Sequence, residues 1–147
     1  MSFTTAINVK VYLESRLGAL LNDYEAGIEV VYGPSVSNDI RTAVAIGNVE
    51  WESYDTSSMG PRPKIYEIYT VECALLVEQG DGSPRDTDAT AQDIVEILVE
   101  ELRSNRTLGF NVDFTNLVPL GLESGITQDG EVGTIFKFKI QCEKNLA

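Results

Sequence analysis

The chain has 147 residues, 43% apolar and 23% charged, with no histidine and a net charge of −12. That suits one globular domain, which buries roughly 68–70% of its unfolded surface without a metal or disulfide staple, and it is too apolar for disorder. Acid outnumbers base in each successive stretch of about thirty residues, so no basic stripe exists to hold nucleic-acid phosphates or other polyanions, and the lack of histidine excludes Ser–His–acid triads, Cys–His dyads and His-bearing zinc sites.

In chain order, Thr5 to Tyr24 places Leu13, Leu17, Leu20, Leu21 and Tyr24 at three- and four-residue spacing, one face of a helix. Thr4 or Thr5 can cap its start and Gly27 can end it. Ile28 to Tyr32 is a short β-branched run that reads as a strand, stopped by Gly33-Pro34-Ser35. Ile40 to Trp51 contains a strand-like Ala43-Val44-Ala45-Ile46, a turn at Gly47-Asn48, and Val49 and Trp51 alternating with Glu50 and Glu52. Ser53 to Pro63, with Ser57, Ser58, Gly60, Pro61 and Pro63, has the chemistry of a loop. Together, 47–64 reads as a loose, flexible hairpin or long excursion.

Lys64 to Gln79 alternates most clearly. Ile65, Glu67, Tyr69, Val71, Cys73, Leu75 and Val77 share one face, which should meet the core. Sixteen residues exceed the usual strand of about five or six, so this strand should project beyond the sheet or bend at a bulge. Gly80-Asp81-Gly82-Ser83-Pro84 then leads into a second helix, with Ser83 as N-cap, Pro84 at the first helical position and Asp86 in the first turn. Ala91, Ile94, Val95, Leu98 and Leu102 form its apolar face, and Asp93, Glu96 and Glu100 lie together on another. Leu108-Gly109 closes this region. Val112 to Leu122 reads as a strand with Phe114, Val118, Leu120 and Leu122 in alternation. Gln128-Asp129-Gly130-Glu131 is a hairpin turn, and Val132 to Cys142 alternates Val132, Thr134, Phe136, Phe138, Ile140 and Cys142 against polar neighbours. The order α-β-β-β-α-β-β, rich in strands and tight turns, predicts one α+β domain over residues 1–147, a mostly antiparallel sheet with two amphipathic helices packed on one face.

Chemical constellations are sparse. Glu100 and Glu101 are neighbours on a helix and point about 100° apart, so they do not converge as an acid/base pair, and they read as a solvated acidic face together with Asp86 and Asp88. Gly80-Asp81-Gly82-Ser83 lacks the Lys of a phosphate loop. Asp81, Asp86 and Asp88 lack the spacing and terminal Glu of a calcium loop. Cys73 and Cys142 fall on apolar strand faces as buried free thiols. No apolar run approaches the roughly 18 residues of a membrane span, and Met1-Ser2-Phe3-Thr4-Thr5 lacks the pattern of a signal peptide. We therefore expect no cofactor, no metal, no membrane association and no enzymatic activity. The suggestive segment is 47–64, whose Trp51, Tyr54, Met59, Arg62 and Lys64 have the composition of a protein–protein contact and are the candidate interface residues.

The succession of segments also resembles a known family. The leading helix is followed by Glu29-Val30-Val31-Tyr32-Gly33-Pro34, a variable hairpin and Tyr66-Glu67-Ile68-Tyr69-Thr70-Val71. A Gly-Asp-Gly turn then opens a helix ending in Glu101-Leu102-Arg103 with Leu108-Gly109 beyond it, and Gly130-Glu131-Val132-Gly133-Thr134-Ile135-Phe136-Lys137-Phe138 fills the last strand. Over nearly its whole length the chain is similar to the tail terminator (tail-completion) proteins of long-tailed bacteriophages, the minor tail protein U-like group. One departure is Phe110, where the pattern leads us to expect a second small residue. The resemblance implies a structural virion protein, made in the host cytoplasm and placed at the head-proximal end of the tail. There it forms a homohexameric ring that caps the tail tube, stops its polymerisation and offers a joining surface to the head–tail connector, while DNA passes through without specific binding. It brings no active site. A neighbouring neck or head-completion protein is the alternative within virion assembly. A small carboxylate-using enzyme or a ligand-binding α+β module is the alternative outside it.

Overall fold

A computed structural model of the chain describes residues 4–25, 27–33, 42–57, 64–79, 83–126 and 132–146. Its elements are α1 (Ala6–Tyr24), β1 (Glu29–Tyr32), β2 (Thr42–Ser57), β3 (Lys64–Gln79), α2 (Pro84–Ser104), β4 (Phe114–Ile126) and β5 (Val132–Leu146). The five strands form one sheet in the order β1-β2-β3-β5-β4. Three of its pairings are antiparallel and one, β1 with β2, is parallel. This is the expected α+β architecture.

The core forms because two helical stripes meet one face of the sheet. Val9, Leu13, Leu17 and Leu21 of α1 and Ala91, Ile94, Leu98 and Leu102 of α2 are buried against the odd-numbered residues of β3 from Tyr69 to Val77 and against Phe138, Ile140 and Cys142 of β5. Each fully buried Leu or Phe contributes about 1.5–3 kcal/mol through removal of apolar area from water. α1 covers β1 to β3 and α2 covers β3 to β4. The two helices run antiparallel, tied by a hydrogen bond from Asn105 to the Tyr12 hydroxyl and by Arg16, whose Nε lies 2.8 Å and Nη2 3.2 Å from the two Glu101 carboxyl oxygens. Glu101 is therefore buried against α1 and does not belong to the solvated acidic face predicted for it. The Arg16 guanidinium is raised above its ordinary value by that hydrogen bond.

Ser83 caps α2 as expected, in a reciprocal capping box with Asp86 and with Pro84 in the first turn. Thr134 of β5 donates to Asp88 Oδ1 at 2.6 Å and touches Thr87 Oγ1 at 2.7 Å, fastening that end of α2 to the sheet. Asp86 and Asp88 are thereby spent on structure. Gly80 to Gly82 and the turn 128–131 lie outside the described residues.

The segment expected as a loop is partly strand. Ser53 to Ser57 continue β2, pairing with β3 as far as Ser57↔Lys64, because β5 supports the full length of β3 from the other side and pairing overrides weak local propensity. β2 accommodates its length through two register shifts, at Ile46/Val49 and Trp51/Ser53. At the first, a Cβ on Gly47 would come 3.2 Å from the Glu72 carbonyl oxygen, so the backbones approach as only glycine allows comfortably.

Both cysteines are free and buried. Cys73 lies opposite Phe138 and Cys142 opposite Tyr69, so their Cα positions lie four residues apart along neighbouring strands, about 13 Å by strand rise, too far for a disulfide. Burial pushes both thiols up from 9 to about 12. A raised folded value means that their stabilising contribution is whole below the unfolded value and is lost as pH climbs from there towards 12. We expect neither thiol to react with Ellman's reagent at pH 8 until denaturant is added. A fast-reacting thiol in the folded protein would contradict the burial.

Candidate assembly surfaces

Two regions of the sheet are left without a neighbour among the described strands. β1 pairs only with Ala43–Ile46, so the rest of β2, from Val49 to Ser57, is an outer edge. On the far side, β4 is the other edge along its whole length. Unpaired edges of this kind are ready templates for another chain.

Trp51 and Tyr54 lie on the β2 edge, each 41% exposed. Three residues apart on a regular strand they would point to opposite faces. The register shift between Trp51 and Ser53 turns them to the same one, opposite Tyr69 and Glu67 respectively. Of the other predicted interface residues, Lys64 opens β3 opposite Ser57, and its side chain lies outside the description. Met59 and Arg62 also lie outside the described residues.

Behind Trp51 lies a residue whose role the alternation alone does not reveal. Glu67 is wholly buried. Its Oε1 accepts from the Thr5 backbone N–H at 2.7 Å and from the Thr5 hydroxyl at 2.8 Å, and its Oε2 accepts from the Trp51 indole N–H at 3.2 Å. With the Thr5 proton committed, the Tyr69 hydroxyl donates to Thr5 Oγ1 at 2.9 Å. Burial pushes the Tyr69 phenol well above its usual range. Thr5 is the N-cap of α1 and makes no side-chain cap bond of its own, while Thr4 Oγ1 takes the Ala6 N–H. The glutamate thus does for α1 what a local cap does elsewhere, and it favours the positive end of the helix. Through Trp51 the same carboxyl orients an exposed interface candidate from inside the core. The signal in the sequence was the single acid in the odd series of β3.

The β4 edge departs from the predicted alternation. A register shift between Pro119 and Gly121 leaves Leu120 bulged out over Ala74 and Lys137 on the helix-free face, while Leu122 pairs with Phe136 on the helix side. Both leucines are 56% exposed. Phe114 is also exposed, and the buried positions of this strand's start are Val112 and Thr115. A bulge inserts one residue and reverses the facing of all that follow, which alternation in sequence does not disclose.

No group of three or more His, Cys, Asp or Glu side chains suited to a metal ion occurs among the described residues, and no described helix is long and apolar enough to cross a membrane. The geometry defines an α+β module with two unlike edges on opposite sides of one sheet, one carrying Trp51 and Tyr54 among the exposed acids Glu50, Glu52 and Asp55, the other carrying Leu120 and Leu122. No family model matches the chain, and no curated protein matches it. Among solved structures it is similar to a chain of the virion of a native gene transfer agent particle, at 12% identity over 91% of this chain and 89% of that one, with a TM-score of 0.39. A likeness of that size assigns neither fold nor function.

Proposed function

We propose that the chain is a structural virion protein of the tail-terminator type. Its copies join edge to edge in a homohexameric ring that caps the tail tube, ends its polymerisation and presents a surface to the neck. The observation that supports this reading is the pair of unlike edges. Trp51 and Tyr54 mark one side of the sheet, and Leu120 and Leu122 mark the other. A patch that meets a different patch makes a heterologous contact, and repetition of such a contact closes into a ring when the rotation allows. β2 and β4 run in opposite directions within the sheet, so an edge-to-edge contact in the sheet plane is antiparallel, the readily completed kind. Six-fold closure and the position on the tail come from the resemblance of the sequence to tail terminators.

The charge fits as well. A net −12 repels the phosphates of a passing genome, and repulsion across a wet lumen is screened within roughly 8–10 Å at physiological salt, so DNA slides without being held. In this reading the protein makes and breaks no covalent bonds and needs no cofactor. Adding it to polymerising tail-tube protein should arrest growth at short lengths in proportion to dose. Tubes that reach the same lengths with and without it would remove the terminator role.

A further inference from the structure

The β2 edge differs from one face to the other. Glu50 and Asp55 lie opposite Thr70 and Tyr66 of β3, on the helix-free face, and Glu52 reaches over that face to Lys139 at 3.8 Å. All three acids are exposed, and Glu50 and Asp55 make no ion pair among the described residues. Trp51 occupies the helix side of the same edge. Glu67 takes its N–H, and its inner side leans on the Tyr69 ring with centroids 6.1 Å apart, so what it shows outwards is apolar ring.

The second half of β4 carries a counterpart on each face. On the helix-free face, Lys137 of β5 is level with Gly121, which has no side chain to shut it off from the outer edge. Lys137 is exposed and makes no ion pair among the described residues. Glu123, the acid of β4 in this stretch, sits two residues further on, opposite Ile135. On the helix side, a groove of about 490 Å³ runs between α2 and β4, floored by Ala91, Val95, Leu122 and Phe136 and rimmed by Arg85 and Glu96. It is open because the register shift after Pro119 turns Leu122 to this side while α2 presents a small residue at Ala91. The bond from Thr134 to Asp88 holds α2 in place beside it.

We infer that this side of the module is the acceptor for the β2 edge of a second copy, with Trp51 seated in the groove and Glu50, Glu52 and Asp55 set against Lys137. The inference deepens the ring reading above and rests on it. β1 shields β2 as far as Ile46, so the stretch free to meet a neighbour is Val49 to Ser57. Antiparallel continuation of the sheet keeps the helix-bearing faces of both copies on one side. Aromatic ring then meets apolar groove on that side, and acid meets base on the other. Charges placed in this way select the partner and the register, and a buried aromatic at the centre supplies affinity. The net −12 acts weakly against the contact, because exposed charges more than about 8–10 Å apart are screened at physiological salt.

The test uses two variants, Lys137→Glu and Glu50→Lys with Asp55→Lys, followed by sedimentation and by the emission of the one tryptophan. Wild type should shift its emission to the blue as copies associate and Trp51 is covered. Each variant should keep the circular dichroism of wild type and associate about tenfold or more weakly, since like charges now face each other. An equimolar mixture of the two should recover assembly, because each supplies the charge the other needs. Association of wild type without a blue shift, Lys137→Glu that assembles as wild type does, or a mixture no better than its parts assigns the groove to another occupant. Any of these overturns the contact and leaves the ring reading standing. A wild type that stays monomeric, alone and with purified tail tubes, removes both together.

Discussion

Replacing Glu67 with alanine is expected to cost about 3–5 kcal/mol of folding stability, because a buried polar cluster loses its shared acceptor. Three donors converge on this one carboxyl: the Thr5 N–H, the Thr5 hydroxyl and the Trp51 indole. Every buried polar side-chain atom among the described residues has a partner, so the loss leaves a hole in a network that is otherwise complete. Water does not readily repair it, since Glu67 and Tyr69 are wholly buried. Domains of this size are stable by about 5–15 kcal/mol, which makes the loss a large share of the total and lowers the melting temperature by about 10 °C. Glu67→Gln separates shape from chemistry. It fills the same space and can still accept from Thr5, but it turns an amide donor towards the Trp51 N–H, and a cost of about 1–3 kcal/mol follows from leaving one donor unmet. The chain has a single tryptophan, so its fluorescence reports this contact without interference, and Glu67→Gln should shift the emission to the red. Melts of both variants within 2 °C of wild type, with unchanged emission, would show that the cluster does not hold α1 and β2 together.

The second large effect concerns assembly. Leu120→Glu with Leu122→Glu should abolish ring formation while leaving the monomer folded. Both side chains are more than half exposed, and surface substitutions away from special features shift stability by about 0.5 kcal/mol or less. At an edge contact the two new carboxylates would face Glu50, Glu52 and Asp55, which are exposed on the β2 edge, and charge placed on an edge strand is the usual device against edge-to-edge pairing. Circular dichroism should therefore be unchanged while light scattering reports only monomer. Rings of normal size from the double variant would show that the β4 edge is not a contact.

Much of the fold was legible because local signals agreed with tertiary demands. Ser83, Pro84 and Asp86 announced α2 by the chemistry of capping, and the odd positions of β3 and the even positions of β5 announced which faces meet the helices. What was hidden depended on partners distant in sequence. Glu67 stood out as an acid among apolar residues, yet Thr5 is 62 positions away and Trp51 is 16, and no spacing rule links them. The strand character of Ser53–Ser57 comes from its neighbours on β3, not from its own serines. The parallel pairing of β1 and the shift at Leu120 are matters of register, which a single sequence specifies only through the whole sheet. The interface candidates were half legible. Trp51 and Tyr54 were identified by composition, whereas the opposing edge became visible only when the bulge had exposed Leu120 and Leu122.

On the proposed reading, this module joins copies of itself through unlike edges and closes the end of a tube. Negative-stain microscopy of the purified protein mixed with purified tail tubes tests this most simply. Rings of a single diameter are expected, seated at one end of each tube and absent from its sides and from the other end. Protein that stays monomeric beside bare tube ends, at concentrations well above those of the ends, would contradict it.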